Sequence, residues 1–168
     1  KTFTSGWYEC TVYVNGKQKT GYIRKSDVEN ASSSQNEIRG VGLQNPTKIY
    51  ARASDQSPVL KAYDQGSILK YKTFTSGWYE CTVYVNGKQR TGYIFKGDVE
   101  NITTAPKSVT GIALRSPTNI YSKASTSATV LKTYAKGRIL KYKTFTSGWY
   151  EATVYVEGAE KTGYIRVG

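Results

Sequence analysis

An internal repeat of 71 residues constrains this sequence more than any other feature. The string KTFTSGWYE begins at Lys1, Lys72 and Lys143, and Pro46 and Pro117 have the same spacing. Solenoid repeats are usually shorter than 50 residues, whereas a unit of about 60 residues can hold a small core of its own. The sequence therefore predicts small domains that follow one another like beads on a string.

The register of the repeat divides the chain into five segments. Two of them are short and consist mostly of polar, small or proline residues, which is typical of linkers. We expect the second half of a repeat at 1–30, a linker at 31–38, a whole repeat at 39–101, a second linker at 102–109 and another whole repeat at 110–168. Because methionine is absent, we also expect the chain to start inside a longer protein.

The last repeat predicts an all-β fold, because threonine and tyrosine are abundant and helical periodicity is absent. Asn15-Gly16 and Asn86-Gly87 are strong hairpin signals, and Glu157-Gly158 stands at the same place in the last copy. The predicted strands are Ile112–Leu114, Asn119–Lys123, Val130–Tyr134, Arg138–Phe145, Trp149–Val156 and Thr162–Ile165. Strands this short and numerous close most economically into a small barrel.

Alternating hydrophobicity assigns a face to each residue of the middle repeat. The predicted inward set is Leu69, Tyr71, Tyr79, Cys81, Val83 and Val85, and the predicted outward set is Lys70, Lys72, Trp78, Glu80, Thr82 and Tyr84. Ala152 replaces cysteine in the last repeat, which fits a small buried position. We expect aromatic side chains beside lysines on the outer face.

The order of these elements resembles the bacterial SH3-type cell-wall-targeting repeat. The segments that carry the resemblance are NIYSKASTSATVL, KGRILKY, SGWYEATVYV and a closing Gly-Tyr-Ile. Both whole repeats match along their length, and residues 1–30 match the second half. The resemblance implies tandem small SH3-like barrels joined by short polar linkers. It also implies a non-catalytic role in anchoring a secreted peptidoglycan hydrolase, such as a Gram-positive autolysin or a phage lysin, to the wall. Tyr93 and Tyr164 stand where many members have tryptophan.

Composition favours binding over catalysis. The net charge is +12, with 24 basic and 12 acidic residues, and a basic surface attracts polyanions. Histidine is absent and there are only two cysteines, which excludes histidine-based catalysis and histidine-ligated zinc. Cys10 and Cys81 occupy equivalent positions in different repeats, so we expect free buried thiols. We expect Glu80 to form an ion pair with a lysine. We predict no catalytic residue, no metal and no cofactor.

The candidate ligand contacts are the outward aromatic residues and the lysines on the adjacent strand. Aromatic faces can stack on sugar rings or bases, and ammonium groups can hold anions. In the middle repeat they are Tyr50, Trp78, Tyr84, Tyr93, Lys70 and Lys72, and in the last repeat Tyr121, Trp149, Tyr155, Tyr164, Lys141 and Lys143. For the two tryptophans, a structural role in covering the core is the strongest alternative to ligand contact, because a domain this small buries little surface.

Three classes of function remain open. The leading hypothesis is a wall-bound, secreted targeting region whose partner is peptidoglycan, teichoic acid or both. One alternative is a surface adhesion or S-layer-type anchoring module. Another, which we rank lower, is a nucleic-acid binder, since basic β-barrels with exposed aromatics bind single strands. No apolar run is long enough to span a bilayer.

The half-repeat at 1–30 predicts an incomplete sheet. Two or three strands are marginal in water, and their edge is open to another chain. We expect this segment either to be frayed or to form a dimer.

Overall fold

The structure is a computed structural model that describes residues 1–32 and 34–168. These form two compact units, one N-terminal and one that holds both whole repeats. Every regular element of the described residues is a strand, except for single 3₁₀ turns at Lys25–Asp27 and Lys96–Asp98. The all-β prediction is therefore confirmed.

The N-terminal unit is a three-stranded antiparallel sheet. Its strands, in spatial order, are β1 (Thr2–Thr4), β2 (Trp7–Val14) and β3 (Lys17–Arg24). The β2–β3 hairpin is in register from Trp7 opposite Arg24 to Val14 opposite Lys17. The described residues of this unit supply no second layer, and Val12 and Val14 are 38% and 44% exposed. Dimerisation through this unit stays a prediction.

The middle repeat is a seven-stranded antiparallel sheet. In chain order its strands are β4 (Ile38–Gly42), β5 (Thr47–Tyr50), β6 (Val59–Tyr63), β7 (Ile68–Thr73), β8 (Trp78–Val85), β9 (Lys88–Phe95) and β10 (Val99–Asn101). Their spatial order is β10-β4-β7-β8-β9-β5-β6. Residues from β5, β7, β8, β9 and β10 pack in one apolar cluster, so the sheet must curve around a shared core.

The last repeat has the same order without the final strand. Its strands are β11 (Ser108–Ile112), β12 (Thr118–Tyr121), β13 (Val130–Tyr134), β14 (Ile139–Thr144), β15 (Trp149–Val156) and β16 (Ala159–Arg166), arranged as β11-β14-β15-β16-β12-β13. The predicted limits of β13 and β15 agree with these. The first strand is displaced, because its pairing runs from Ser108 opposite Lys143 to Ile112 opposite Ile139.

The predicted inward face agrees with the observed burial, whereas Lys72, Trp78 and Glu80 of the predicted outward set are half-buried. Leu69, Tyr71, Cys81 and Val83 are buried, and Tyr79 and Val85 pack against them. The turn residues Asn86 and Gly87 both have positive φ, 51° and 74°, as the hairpin signal predicted. Of the two cysteines, Cys81 is buried, whereas Cys10 is only half-buried.

The two whole repeats contact each other, which the beads-on-a-string interpretation did not anticipate. Val41 of the middle repeat packs in one buried cluster with Ala124, Phe145 and Tyr164 of the last repeat. The backbone N–H of Ser147 in the last repeat also donates to the Glu100 carboxylate of the middle repeat at 2.7 Å. Burial of Phe145 and Tyr164 at this contact makes the repeats one body rather than two tethered ones.

Candidate ligand-binding surface

The outer face of β7 and β8 gathers three of the predicted ligand residues into one groove. Lys70, Lys72 and Tyr84 line it, with Glu80 between them, in a cavity of about 260 Å³. Alternation brings the lysines to the outer face of β7, and antiparallel pairing sets Lys72 opposite Glu80. Tyr84 is 62% exposed, so its ring face is open to a ligand.

An acidic side chain limits the charge of this groove. Lys70 Nζ forms an ion pair with Glu37 at 2.9 Å. The repeat places Ser108 at the position equivalent to Glu37, beside Lys141 and Lys143 of the last repeat. Those two lysines line a cavity of about 410 Å³ with Glu151, and both are exposed. The groove of the last repeat is therefore the more cationic of the two.

Tyr155 is the counterpart of Tyr84 in the last repeat, and it is 61% exposed. Its hydroxyl donates a hydrogen bond to Glu160 at 3.1 Å, which raises the pKa of Tyr155. This contact orients the hydroxyl along the hairpin, and the exposed ring remains able to stack on a flat ligand.

A second group of predicted residues forms aromatic pairs. The rings of Tyr50 and Trp78 meet edge to face, with centroids 5.8 Å apart, and Tyr121 and Trp149 repeat this geometry at 5.9 Å. All four side chains are half-buried. Trp78 also contacts Phe95 at 5.5 Å. These pairs support the local packing, and each leaves only part of a ring accessible.

Tyr164 is not the exposed aromatic that alternation predicted. It is only 7% exposed and packs on Phe145, with ring centroids 5.0 Å apart, at the contact between the repeats. Burial raises the pKa of Tyr164. Its counterpart Tyr93 is half-buried against Phe74. Alternation could not show this, because Val41 of the middle repeat joins Phe145 of the last repeat in the buried cluster around Tyr164.

Sequence reasoning also missed the polar contacts between the repeats. Lys123 donates to Asp64 at 2.8 Å, and the Ser125 hydroxyl donates to Gln65 at 2.9 Å. The signal was present, because the repeat places Ala135 and Lys136 at the positions of Asp64 and Gln65. Asp64 and Gln65 are thus two of the positions at which the copies differ, and the repeat alone does not distinguish them from the other differing positions.

The described residues contain no group of three acidic or cysteine side chains placed to hold a metal ion. No helix in that part of the chain is long and apolar enough to cross a membrane.

Comparisons with known proteins leave the family open. No family model matches the chain, and no curated protein matches it. Among solved structures it is similar to NlpC1 and NlpC2 from Trichomonas vaginalis, each at 17% identity with a TM-score of 0.30. The alignments cover 86% and 80% of this chain but only 49% and 47% of those proteins, so the chain spans about half their length. A similarity at this level does not establish a shared fold.

Proposed function

We propose that residues 34–168 are two SH3-like barrels that belong to the bacterial cell-wall-targeting repeats. In this proposal they hold a secreted peptidoglycan hydrolase on the wall and take no part in its catalysis. The single observation that carries the proposal is the groove of lysines on β7 and β14, repeated at a spacing of 71 residues. The curved sheets, each built around its own core, are compatible with small barrels.

The groove can hold an anionic polymer of sugars and phosphates or carboxylates. In the last repeat the ammonium groups of Lys141 and Lys143 attract the anion. In the middle repeat the exposed ring of Tyr84, beside Lys70 and Lys72, also offers a face for a sugar. Attraction by exposed charges falls with salt. Because Ser108 replaces Glu37, the last repeat should bind more tightly than the middle one.

The test is a pull-down of the whole chain on purified Gram-positive walls, with and without teichoic acid, beside single-stranded DNA. The reversal Lys141→Glu with Lys143→Glu should weaken wall binding about tenfold or more. The control, Lys136→Glu with Lys161→Glu, changes net charge equally on exposed positions outside the groove. This control should weaken wall binding less than twofold.

Each result decides between the candidate functions. Loss of binding to walls without teichoic acid would identify the anionic polymer as the ligand. Retained binding to those walls would identify peptidoglycan. Equal losses in both variants would contradict a defined groove. Binding to DNA but not to walls would favour the nucleic-acid function instead.

A further inference from the structure

One arginine lies beside the groove of the middle repeat, at the contact with the last repeat. Arg39 on β4 is directly opposite Lys70 on β7. The next residue, Gly40, faces inward, since a Cβ there would meet the Tyr71 hydroxyl. Val41 faces the other way and packs in the buried cluster that joins the repeats. Because side chains alternate along a strand, Arg39 projects from the same face as Val41.

The backbone of Arg39 is held at this junction, and its side chain is open to solvent. The Ile102 N–H donates to the Arg39 carbonyl at 2.9 Å. Ile102 itself packs against the buried cluster that contains Phe145 and Tyr164. Arg39 is exposed with the last repeat in place, and its counterpart Thr110 is exposed with a whole repeat before it. Contact between repeats therefore does not cover this position.

Tyr164 connects Arg39 with the groove of the last repeat. On the sheet of that repeat, Tyr164 is opposite Glu151, and Glu151 is opposite Lys143. Burial and the charge of Glu151 raise the pKa of Tyr164, whereas the charge of Arg39 lowers it. The guanidinium is thus close enough to act on this hydroxyl from the side of the middle repeat. Arg39, Tyr164, Glu151 and Lys143 form a row that crosses the junction.

The guanidinium of Arg39 is free to hold an anion. In the described part of the chain, the ion pairs involve Glu9, Glu37 and Asp64, and none involves Arg39 or Glu151. A guanidinium can bind both oxygens of a phosphate or carboxylate group, whereas an ammonium acts as a point charge. Arg39 therefore offers a kind of anion contact that the lysines of the two grooves do not.

We propose that Arg39 is a ligand-binding residue that joins the two lysine grooves into one site across the junction between the repeats. An anionic polymer passes from Lys70 over Arg39 to Lys143, with one phosphate or carboxylate group on the guanidinium. Neighbouring strands lie about 4.8 Å apart, so Lys70 and Arg39 can hold successive groups of one polymer. The inference rests on the proposed function, because it extends the same grooves.

The first test measures the affinity of the whole chain for purified walls and for long-chain inorganic polyphosphate over a range of salt concentrations. Arg39→Thr, which copies Thr110 of the last repeat and suits a strand, should weaken binding to both about fivefold or more. It should also reduce the slope of log affinity against log salt by about 0.7–0.9, as expected for the loss of one neutralised anionic group. Arg39→Lys should keep the slope and weaken binding about twofold.

Arg90→Thr is the matched control, because it removes a guanidinium from another exposed strand position of the same repeat. It should weaken binding less than twofold and leave the slope unchanged. Polyphosphate binding that depends on Arg39, without wall binding, would support the joined site and contradict the proposed function. Wall binding that responds equally to both variants would overturn the role of Arg39 and leave the proposed function standing. Failure to bind either ligand would contradict both.

The second test uses the acidic residue within the row. Glu151 repels an anion that crosses from Arg39 to Lys143, so Glu151→Gln should strengthen polyphosphate binding about threefold or more. The control Glu157→Asn removes the same charge from an exposed hairpin turn and copies Asn86 of the middle repeat. It should strengthen binding by less than half.

The same variant also distinguishes one joined site from two. If one polymer contacts both residues, the gain from Glu151→Gln should at least halve in an Arg39→Thr background. An unchanged gain would show two separate grooves and overturn the joined site. No gain from Glu151→Gln, together with a lower melting temperature for Arg39→Thr, would indicate a structural pairing of Arg39 with Glu151 and also overturn the proposal.

Discussion

At the level of single residues, three equivalent tyrosines allow the effect of a substitution on ligand binding to be distinguished from its effect on stability. Tyr13, Tyr84 and Tyr155 are 72%, 62% and 61% exposed on the same strand position. On the side away from the hairpin partner, the strand beside Tyr84 and the strand beside Tyr155 each carry two lysines, whereas the residues on that side of β2 include only Lys1, which forms an ion pair with Glu9 at 3.5 Å. We expect Tyr84→Ala with Tyr155→Ala to weaken wall binding about fivefold, with unfolding free energy changed by less than about 0.5 kcal/mol. Tyr13→Ala is the control and should change neither. Wall pull-downs and urea titrations measure both quantities.

Burial gives the two cysteines different reactivity. Desolvation, helped by the nearby charge of Glu80, raises the pKa of Cys81 to about 12. Only the thiolate reacts with thiol reagents. At pH 8 we expect Cys10 to react with a disulfide reagent at least tenfold faster than Cys81. Cys10→Ala should remove the fast phase, and Cys81→Ala the slow one. Equal rates would contradict the burial of Cys81.

The same shift predicts how stability changes with pH. The folded-state pKa of Cys81 lies above that of an unfolded thiol, ~8.5. Its contribution is therefore complete below about pH 8.5 and is lost as pH rises toward 12. The expected loss approaches about 1.4 kcal/mol per pH unit within this window. Cys81→Ala, which copies Ala152, should flatten this part of the curve in urea titrations. An unchanged slope would contradict the prediction.

Among the structural elements, the β6–β7 turn contacts the last repeat. Gly66 has φ +81°, and a Cβ there would meet the backbone of Ala124 at 2.9 Å. Its counterpart Gly137 has φ +85° but open space around it. Both Gly66→Val and Gly137→Val impose the same backbone strain, about 1 kcal/mol or more. Only Gly66→Val should also separate the repeats and split one calorimetric transition into two. A single transition in both variants would contradict coupling through this turn.

The hairpins could be predicted from the sequence, because their signals are local. The Asn86-Gly87 turn of β8–β9, the Glu157-Gly158 turn of β15–β16 and the alternation of the strands determine the register of both hairpins without reference to the rest of the chain. The first strand of the last repeat was misplaced because Ile112 and Leu114 look like core residues but are 59% and 66% exposed. Its limits follow from pairing with β14, which is a non-local interaction.

For the whole molecule, the contact between the repeats could not be predicted from the sequence, because it too is a non-local interaction. Tyr164 follows the outward pattern of its strand, yet Phe145 and Val41 bury it. Alternation placed four lysines on outer faces, and of these Lys70, Lys141 and Lys143 are exposed whereas Lys72 is half-buried. What alternation cannot show is which outer face another repeat will cover.

Two lysine-lined grooves on one body lead to a prediction about avidity. A polymeric ligand that reaches both grooves binds the second one intramolecularly, at an effective concentration in the mM range. Reversing the lysines of one groove, either Lys70 and Lys72 or Lys141 and Lys143, should then weaken binding to whole walls at least tenfold. Binding to a soluble wall fragment too short to reach both grooves depends on each groove alone. There the Lys70→Glu, Lys72→Glu variant should lose less than threefold, because the more cationic groove of the last repeat remains. Titrations with walls and with the fragment measure the two losses. Equal losses on both ligands would show that the grooves act separately.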